Sequence, residues 1–179
     1  LGLNTAFIGP TSNDTFGKLF ANSITSLGVQ YNPQYAPDSQ TSHCLVYITN
    51  ERERTMATYL GASAKLDQCH IDEEIIAKSR YIYIEGYIFD LPKQERIINQ
   101  VVTYAKRYNS KIVLSLSDGH CVERHHHLFA KFIKENVDIL FANEEEINAL
   151  MQTKSIDLAV SHCREICPFS VVTHGASGA

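Results

Sequence analysis

The chain has 179 residues, 16 of them basic and 20 acidic, giving a net charge of −4, with 44 % apolar and 9 % aromatic residues. These are ordinary globular values, and one domain of this length can bury a real core. The mild acidity argues against a nucleic-acid backbone as the main partner, because neutralising phosphates needs a basic surface; no run approaches the roughly 18 apolar residues of a membrane span.

Residues 1–10 carry no basic segment, so they do not read as a signal peptide. Residues 4–8 form a short apolar run ended by Gly9 and Pro10, which predicts a buried strand. Phe16, Leu19, Phe20, Ile24 and Leu27 recur at helical spacing, and Gly28 closes that helix. Residues 32–40 are rich in Pro, Asn, Asp and Gln and predict a loop. Residues 42–49 and 54–60 are rich in Val, Ile, Thr and Tyr and read as a hairpin inserted into an α/β domain. After it the pattern is regular. Strands are expected at 80–85, 111–116, 137–142 and 169–173. Helices are expected at 92–108, 122–135, 144–151 and 155–167. Strands separated by helices predict βαβ units and a parallel sheet, with both faces covered. Ligands of such sheets lie beyond the carboxyl ends of the strands, which directs attention to the residues after Ile8, Glu85, Leu116, Ala142 and Val172.

The five cysteines, Cys44, Cys69, Cys121, Cys163 and Cys167, are odd in number and no two are spaced as C-x-x-C. A disulfide framework and a structural zinc site are therefore not expected. Cys163 and Cys167 read as small buried residues of a helix, and the whole set fits a reduced, cytoplasmic setting.

Four groups of residues have chemical potential. Thr173-His-Gly-Ala-Ser-Gly178 is a T-x-G-x-x-G turn after a strand, compatible with a phosphate loop and equally with an ordinary strand exit. Asn143-Glu-Glu-Glu146 places an amide and a carboxylate three residues apart at a strand end. That spacing reads first as a helix capping box and second as a support for hydrated Mg²⁺ near phosphates. Asp118 either lines a site or makes a turn before Gly119. Arg52 and Arg54, at the hairpin turn, are solvated charges or contacts to an anionic group. The triplet His125-His126-His127 looks like a metal cluster, but three consecutive helical residues point in three directions, so a surface or packed role is expected.

Taken together, these segments resemble the PfkB (ribokinase-like) carbohydrate and nucleoside kinases. The opening stretch Ile8-Gly-Pro-Thr-Ser-Asn-Asp-Thr-Phe-Gly17, followed by Leu27-Gly-Val29, is similar to that family's first strand, loop and helix. Glu53-Arg-Thr-Met-Ala-Thr-Tyr-Leu-Gly-Ala62 is similar to the lid strand of its bacterial adenosine-kinase-like members. Ser115-Leu-Ser-Asp118, Val137-Asp-Ile-Leu-Phe-Ala-Asn-Glu-Glu-Glu146 and Val171-Val-Thr-His-Gly-Ala-Ser-Gly178 resemble three further family segments, in order. The resemblance implies a ribokinase-like three-layer α/β sandwich with a mainly parallel central sheet and a small β lid. The core would be residues 1–40 and 61–179, and the lid residues 41–60. It implies ATP-dependent phosphoryl transfer to a hydroxymethyl group of a nucleoside, adenosine first, or of a sugar. By position, Asn143 and Glu146 would support Mg²⁺ and phosphate, with Glu146 the metal-side carboxylate. Thr173, Gly175 and Gly178 would contact ATP, Arg54 would lie on the lid beside the small-molecule substrate, and Asp118 would line the site. A homodimer through the lid is a further implication.

The family's G-A-G-D segment, which holds the catalytic base, does not occur in these residues, nor does its early substrate-binding Asp with a Gly-Gly…Asn segment. The base is therefore expected beyond Ala179. The abrupt start in a strand and the end on a turn likewise predict a longer polypeptide, and these residues alone are expected to be inactive. The alternative is a nucleotide-binding module without chemistry. A dinucleotide-dependent oxidoreductase ranks last, since no G-x-G-x-x-G follows an early strand.

Overall fold

The computed structural model describes residues 2–179, which divide into two compact units, one ending at Asp72 and one spanning Glu73–Ala179.

The first unit opens with β1 (Ala6–Phe7), β2 (Pro10–Thr11) and α1 (Thr15–Ser26), followed by β3 (Gln30–Tyr31) and β4 (Gln34–Tyr35). β1 pairs with β3 and β2 with β4, both in parallel. Within the stretch predicted as a loop, Gln34 and Tyr35 thus form a short ladder. Phe7, Phe20 and Tyr31 meet edge to face at 5.3–5.7 Å and seat α1 on this small sheet. Gly28, at φ +82°, ends α1: Gly28 N–H donates to Thr25 O and Val29 N–H to Ile24 O, the Schellman pattern expected from its position.

β5 (His43–Ile48) and β6 (Arg54–Tyr59) form the antiparallel hairpin that the β-branched and aromatic residues predict. Its register places His43, Leu45 and Tyr47 opposite Tyr59, Ala57 and Thr55 on one face. Cys44, Val46 and Ile48 lie opposite Thr58, Met56 and Arg54 on the other. Leu45, Val46, Tyr47, Ile48, Met56 and Tyr59 are all exposed, so both faces of the ribbon present apolar side chains.

The second unit begins with α2 (Glu73–Ala77). It continues through β7 (Tyr81–Glu85), α3 (Gln94–Tyr108), β8 (Lys111–Ser115), α4 (Gly119–Arg124) and α5 (His126–Asn136). β9 (Ile139–Asn143), α6 (Glu144–Met151), α7 (Ile156–Ile166) and β10 (Ser170–Thr173) complete it. The four strands form one parallel sheet in the order β10-β9-β8-β7. Ile84, Leu114 and Leu140 share a row across three strands and are buried, together with Leu116. Ile97 and Val101 of α3, Phe129 and Ile133 of α5, and Ile147 and Leu150 of α6 complete the apolar core. The opposite face departs from the expectation that both faces are covered: Tyr83 is 57 % exposed, and Tyr81 and Phe141 are exposed as well. The cover is uneven: β8 buries Ile112, Val113 and Leu114 in succession, whereas Tyr83 of β7, beside Val113, is open.

The single helix predicted at 122–135 is two helices meeting at His125. His125 Nε2 bonds Asp90 at 2.8 Å, His126 Nε2 donates to Leu150 O at 2.8 Å, and His127 is exposed. The three imidazoles diverge, as the helical geometry requires. Cys121, Cys163 and Cys167 are buried, Cys44 and Cys69 exposed, and all five are free thiols.

Candidate functional site

The carboxyl ends of β7, β8, β9 and β10 bring together Glu85, Ser117, Asp118, Asn143, Glu146 and the turn after Thr173, where an open α/β sheet gathers its ligands.

Asn143 ends β9 and caps α6. Its Oδ1 accepts the Glu146 N–H at 2.9 Å, its own N–H donates to Glu146 Oε2 at 3.0 Å, and its Nδ2 donates to Glu146 Oε1 at 2.9 Å. This is the capping box that the spacing predicts. Glu146 is only 8 % exposed. Burial pushes its carboxyl above the ordinary range, against the pull of the Asn143 N–H, and the charges of Asp118, Glu145 and Glu85 push the same way as burial. A buried acid in a negative field, with both oxygens held in place, is chemistry that a cation would relieve. A hydrated Mg²⁺ fits such a donor set, because that ion keeps most of its waters and uses one or two carboxylates.

The turn after β10 adjoins this box. Thr173 is the register partner of Asn143, and its Oγ1 donates to Ala142 O at 3.5 Å. Gly175 and Gly178 have φ of +51° and +102°, backbone that side-chain-bearing residues rarely adopt, and a Cβ at either would meet nothing within 4 Å. The turn closes through His174 N–H to Gly178 O at 2.7 Å and Ser177 N–H to His174 O at 2.9 Å. The N–H groups of Gly175 and Ala176 have no hydrogen-bond acceptor among the described residues, which leaves two donors on an open turn. Successive free N–H groups of this kind suit an anion. His174 Nε2 lies 2.9 Å from Glu144 Oε2 and ties the turn to the first residue of α6.

Asp118 caps α4 by accepting the Cys121 N–H at 2.8 Å, so its turn role is present beside its place near Glu146. Arg54 is the first residue of β6, exposed and opposite Ile48 in the first unit. The sequence assigns no role to Glu85, Ser117, Glu144 or His174, which join the site here. Ser117 sits at φ +69°, donates to Glu85 Oε2 at 2.6 Å and accepts the Gly86 N–H at 2.8 Å, so it laces the ends of β7 and β8 together. The only sequence signal for these residues is their position just after strands. Partial desolvation raises the phenols of Tyr83 and Tyr87, both half-exposed, and the carboxylates of the same cluster add to the shift.

Comparison with known proteins gives a consistent result. The chain is 28 % identical over 129 residues to the guanosine-inosine kinase of Escherichia coli K12, covering 70 % of this chain and 30 % of that protein. It superposes on the adenosine kinase of Sinorhizobium meliloti with a TM-score of 0.92 and 30 % identity, covering 98 % of this chain and 54 % of that one. An Anopheles gambiae adenosine kinase, solved with P1,P4-di(adenosine-5) tetraphosphate, shares the fold at a TM-score of 0.83 and 20 % identity, with coverage of 96 % and 55 %. The chain therefore spans about a third to a half of the length of these relatives. The fold is the ribokinase-like α/β fold, and since residues 1–179 match throughout the family described as pfkB family carbohydrate kinase, the chain belongs to that family.

Proposed function

We propose that the whole protein is an ATP-dependent kinase that transfers a phosphoryl group to the hydroxymethyl oxygen of a nucleoside, adenosine first, or of a sugar. The observation that carries this reading is the junction of the Asn143–Glu146 box with the Thr173–Gly178 turn, at adjacent strand ends of a PfkB-family chain. The nucleoside preference rests on the likeness to an adenosine kinase and a guanosine-inosine kinase.

In this reading Thr173 Oγ1 and the backbone N–H groups of Gly175 and Ala176 hold ATP phosphates, and Gly178 lines the same turn. Glu146 anchors the hydration shell of Mg²⁺, and Asn143 orients the Glu146 carboxylate. When bound, Mg²⁺ neutralises phosphate charge during transfer. Asp118 adds negative charge beside Glu146 and lines the site. The hairpin is the lid, residues 41–60, on a core of residues 1–40 and 61–179, and Arg54 presents its guanidinium to the substrate from that lid. The catalytic base is assigned to none of these residues, because the family's G-A-G-D segment does not occur in them. The exposed apolar faces of the hairpin support a homodimer through the lid, and the five free thiols support a cytoplasmic setting.

The test is an ADP-release assay on the whole protein with nucleosides, ribose, fructose and sugar phosphates. Release above the acceptor-free rate with a nucleoside is the expected result. No turnover with any of these acceptors would refute the proposal.

A further inference from the structure

The hairpin exposes both its faces, so whatever fixes its direction must act at its foot. There the first unit holds an unusually dense knot. Thr41, buried two residues before β5, donates its N–H to Asp14 Oδ2 at 2.8 Å and its hydroxyl to Asp14 Oδ1 at 2.6 Å. The same Oδ1 accepts the Gly17 N–H at 2.8 Å, which is the N-cap of α1. Thr41 Oγ1 in turn accepts the Ser12 N–H at 3.0 Å. The outgoing limb is bound as closely. Ala62 N–H donates to Gln40 O at 2.8 Å, Ser63 N–H to Ser42 Oγ at 3.0 Å, and Ser42 Oγ bonds Leu60 O. Above the knot, Phe16 of α1 lies 5.5 Å from the His43 ring, which lies 5.2 Å from Tyr59, its partner across the hairpin.

We infer that Asp14 is a positioning residue: one carboxylate serves both as the cap of α1 and as the clamp that aims the hairpin, and with it Arg54, toward the substrate. Helix capping alone needs one acceptor oxygen. Asp14 spends its second oxygen, and part of its first, on a residue 27 positions away at the hairpin's foot. The three donors hold its carboxyl well below the usual range, at about 2, Thr41 contributing most. Gly17 is required beside them, because a Cβ there would meet Ser12 O at 2.0 Å and Thr41 Oγ1 at 2.9 Å. The kinetic consequence rests on the kinase reading above, whereas the clamp itself does not.

Asp14→Asn separates the two roles. Asparagine caps helices as well as aspartate, but when its oxygen caps Gly17 its NH2 group stands where Asp14 Oδ2 accepts the Thr41 N–H, so a donor faces a donor. Thr41→Val removes the hydroxyl, and Thr41→Ser restores it. Amide hydrogen exchange on the whole protein should show residues 41–60 exchanging about tenfold faster in Asp14→Asn and Thr41→Val, with residues 15–26 unchanged and Thr41→Ser like wild type. In turnover, the acceptor KM should rise about tenfold in both variants while the KM for ATP stays level. Unchanged exchange at 41–60 in both variants would overturn the clamp, as would equal loosening of α1 and the hairpin in Asp14→Asn. A wild-type protein without turnover would instead overturn the kinase reading and leave the exchange result to decide the clamp.

Discussion

Glu146 serves two purposes, and they can be separated. Its carboxylate completes the capping box of α6, a purpose that glutamine also serves, while its charge matters only to a cation. Glu146→Gln should therefore change the melting temperature little: it removes a buried charge that Asp118, Glu145 and Glu85 repel, but it keeps only one of the two bonds that Asn143 donates to the carboxylate. The same variant should weaken Mg·ATP binding by about tenfold in a calorimetric titration. Unaltered binding would deny Glu146 its proposed role. Asp14 gives a pH prediction with a definite sign. Its carboxyl is lowered from 3.8 to about 2 in the folded chain, so its contribution to stability is present above about pH 4 and is lost as the pH falls through 2. Denaturant unfolding of wild type and Asp14→Asn should differ at pH 5 and converge near pH 2. The two residues were unequally legible in the sequence. Asn143 and Glu146 are three positions apart, so their mutual bonds follow from local spacing. Asp14 looks like a plain helix cap, because its second partner lies 27 residues away, across a loop and at the foot of the hairpin.

Among the elements, the hairpin, α6 and the four strands of the sheet were legible because their apolar periods are unambiguous. The break between α4 and α5 was not. Val122, Phe129 and Ile133 keep a helical period across it, and the kink is set by His125 and Arg124 reaching Asp90 some 35 residues earlier. The turn from β7 was legible only as a glycine. In the fold, Gly86 lies so close to the end of β8 that a Cβ would meet Leu116 O at 2.3 Å and Ser115 O at 3.0 Å. These are backbone atoms, so the strand ends must separate to admit a side chain. Gly86→Ala should cost about 2–3 kcal/mol in urea unfolding and should loosen the Ser117–Glu85 link at the site. A stability equal to wild type would mean that the two loops separate freely.

At the scale of the molecule, the parallel sheet and the order of its loops place Asp118, Asn143, Glu146 and the Thr173–Gly178 turn at one end of that sheet, and Arg54 is on the hairpin of the first unit. What the periodicity could not convey was the exposure of Tyr81, Tyr83 and Phe141. A strand pattern records that residues are apolar or aromatic, not what covers them. The relatives extend well beyond the stretch matched here, and the proposed chemistry belongs to the whole protein. The most direct test is transfer of the label from γ-labelled ATP to adenosine, guanosine or inosine by the whole protein, with Glu146→Gln run alongside. Expected are a labelled nucleoside monophosphate from wild type and much slower labelling from the variant, at a melting temperature close to wild type. A folded wild-type protein that binds Mg·ATP yet labels no nucleoside and no sugar would contradict it.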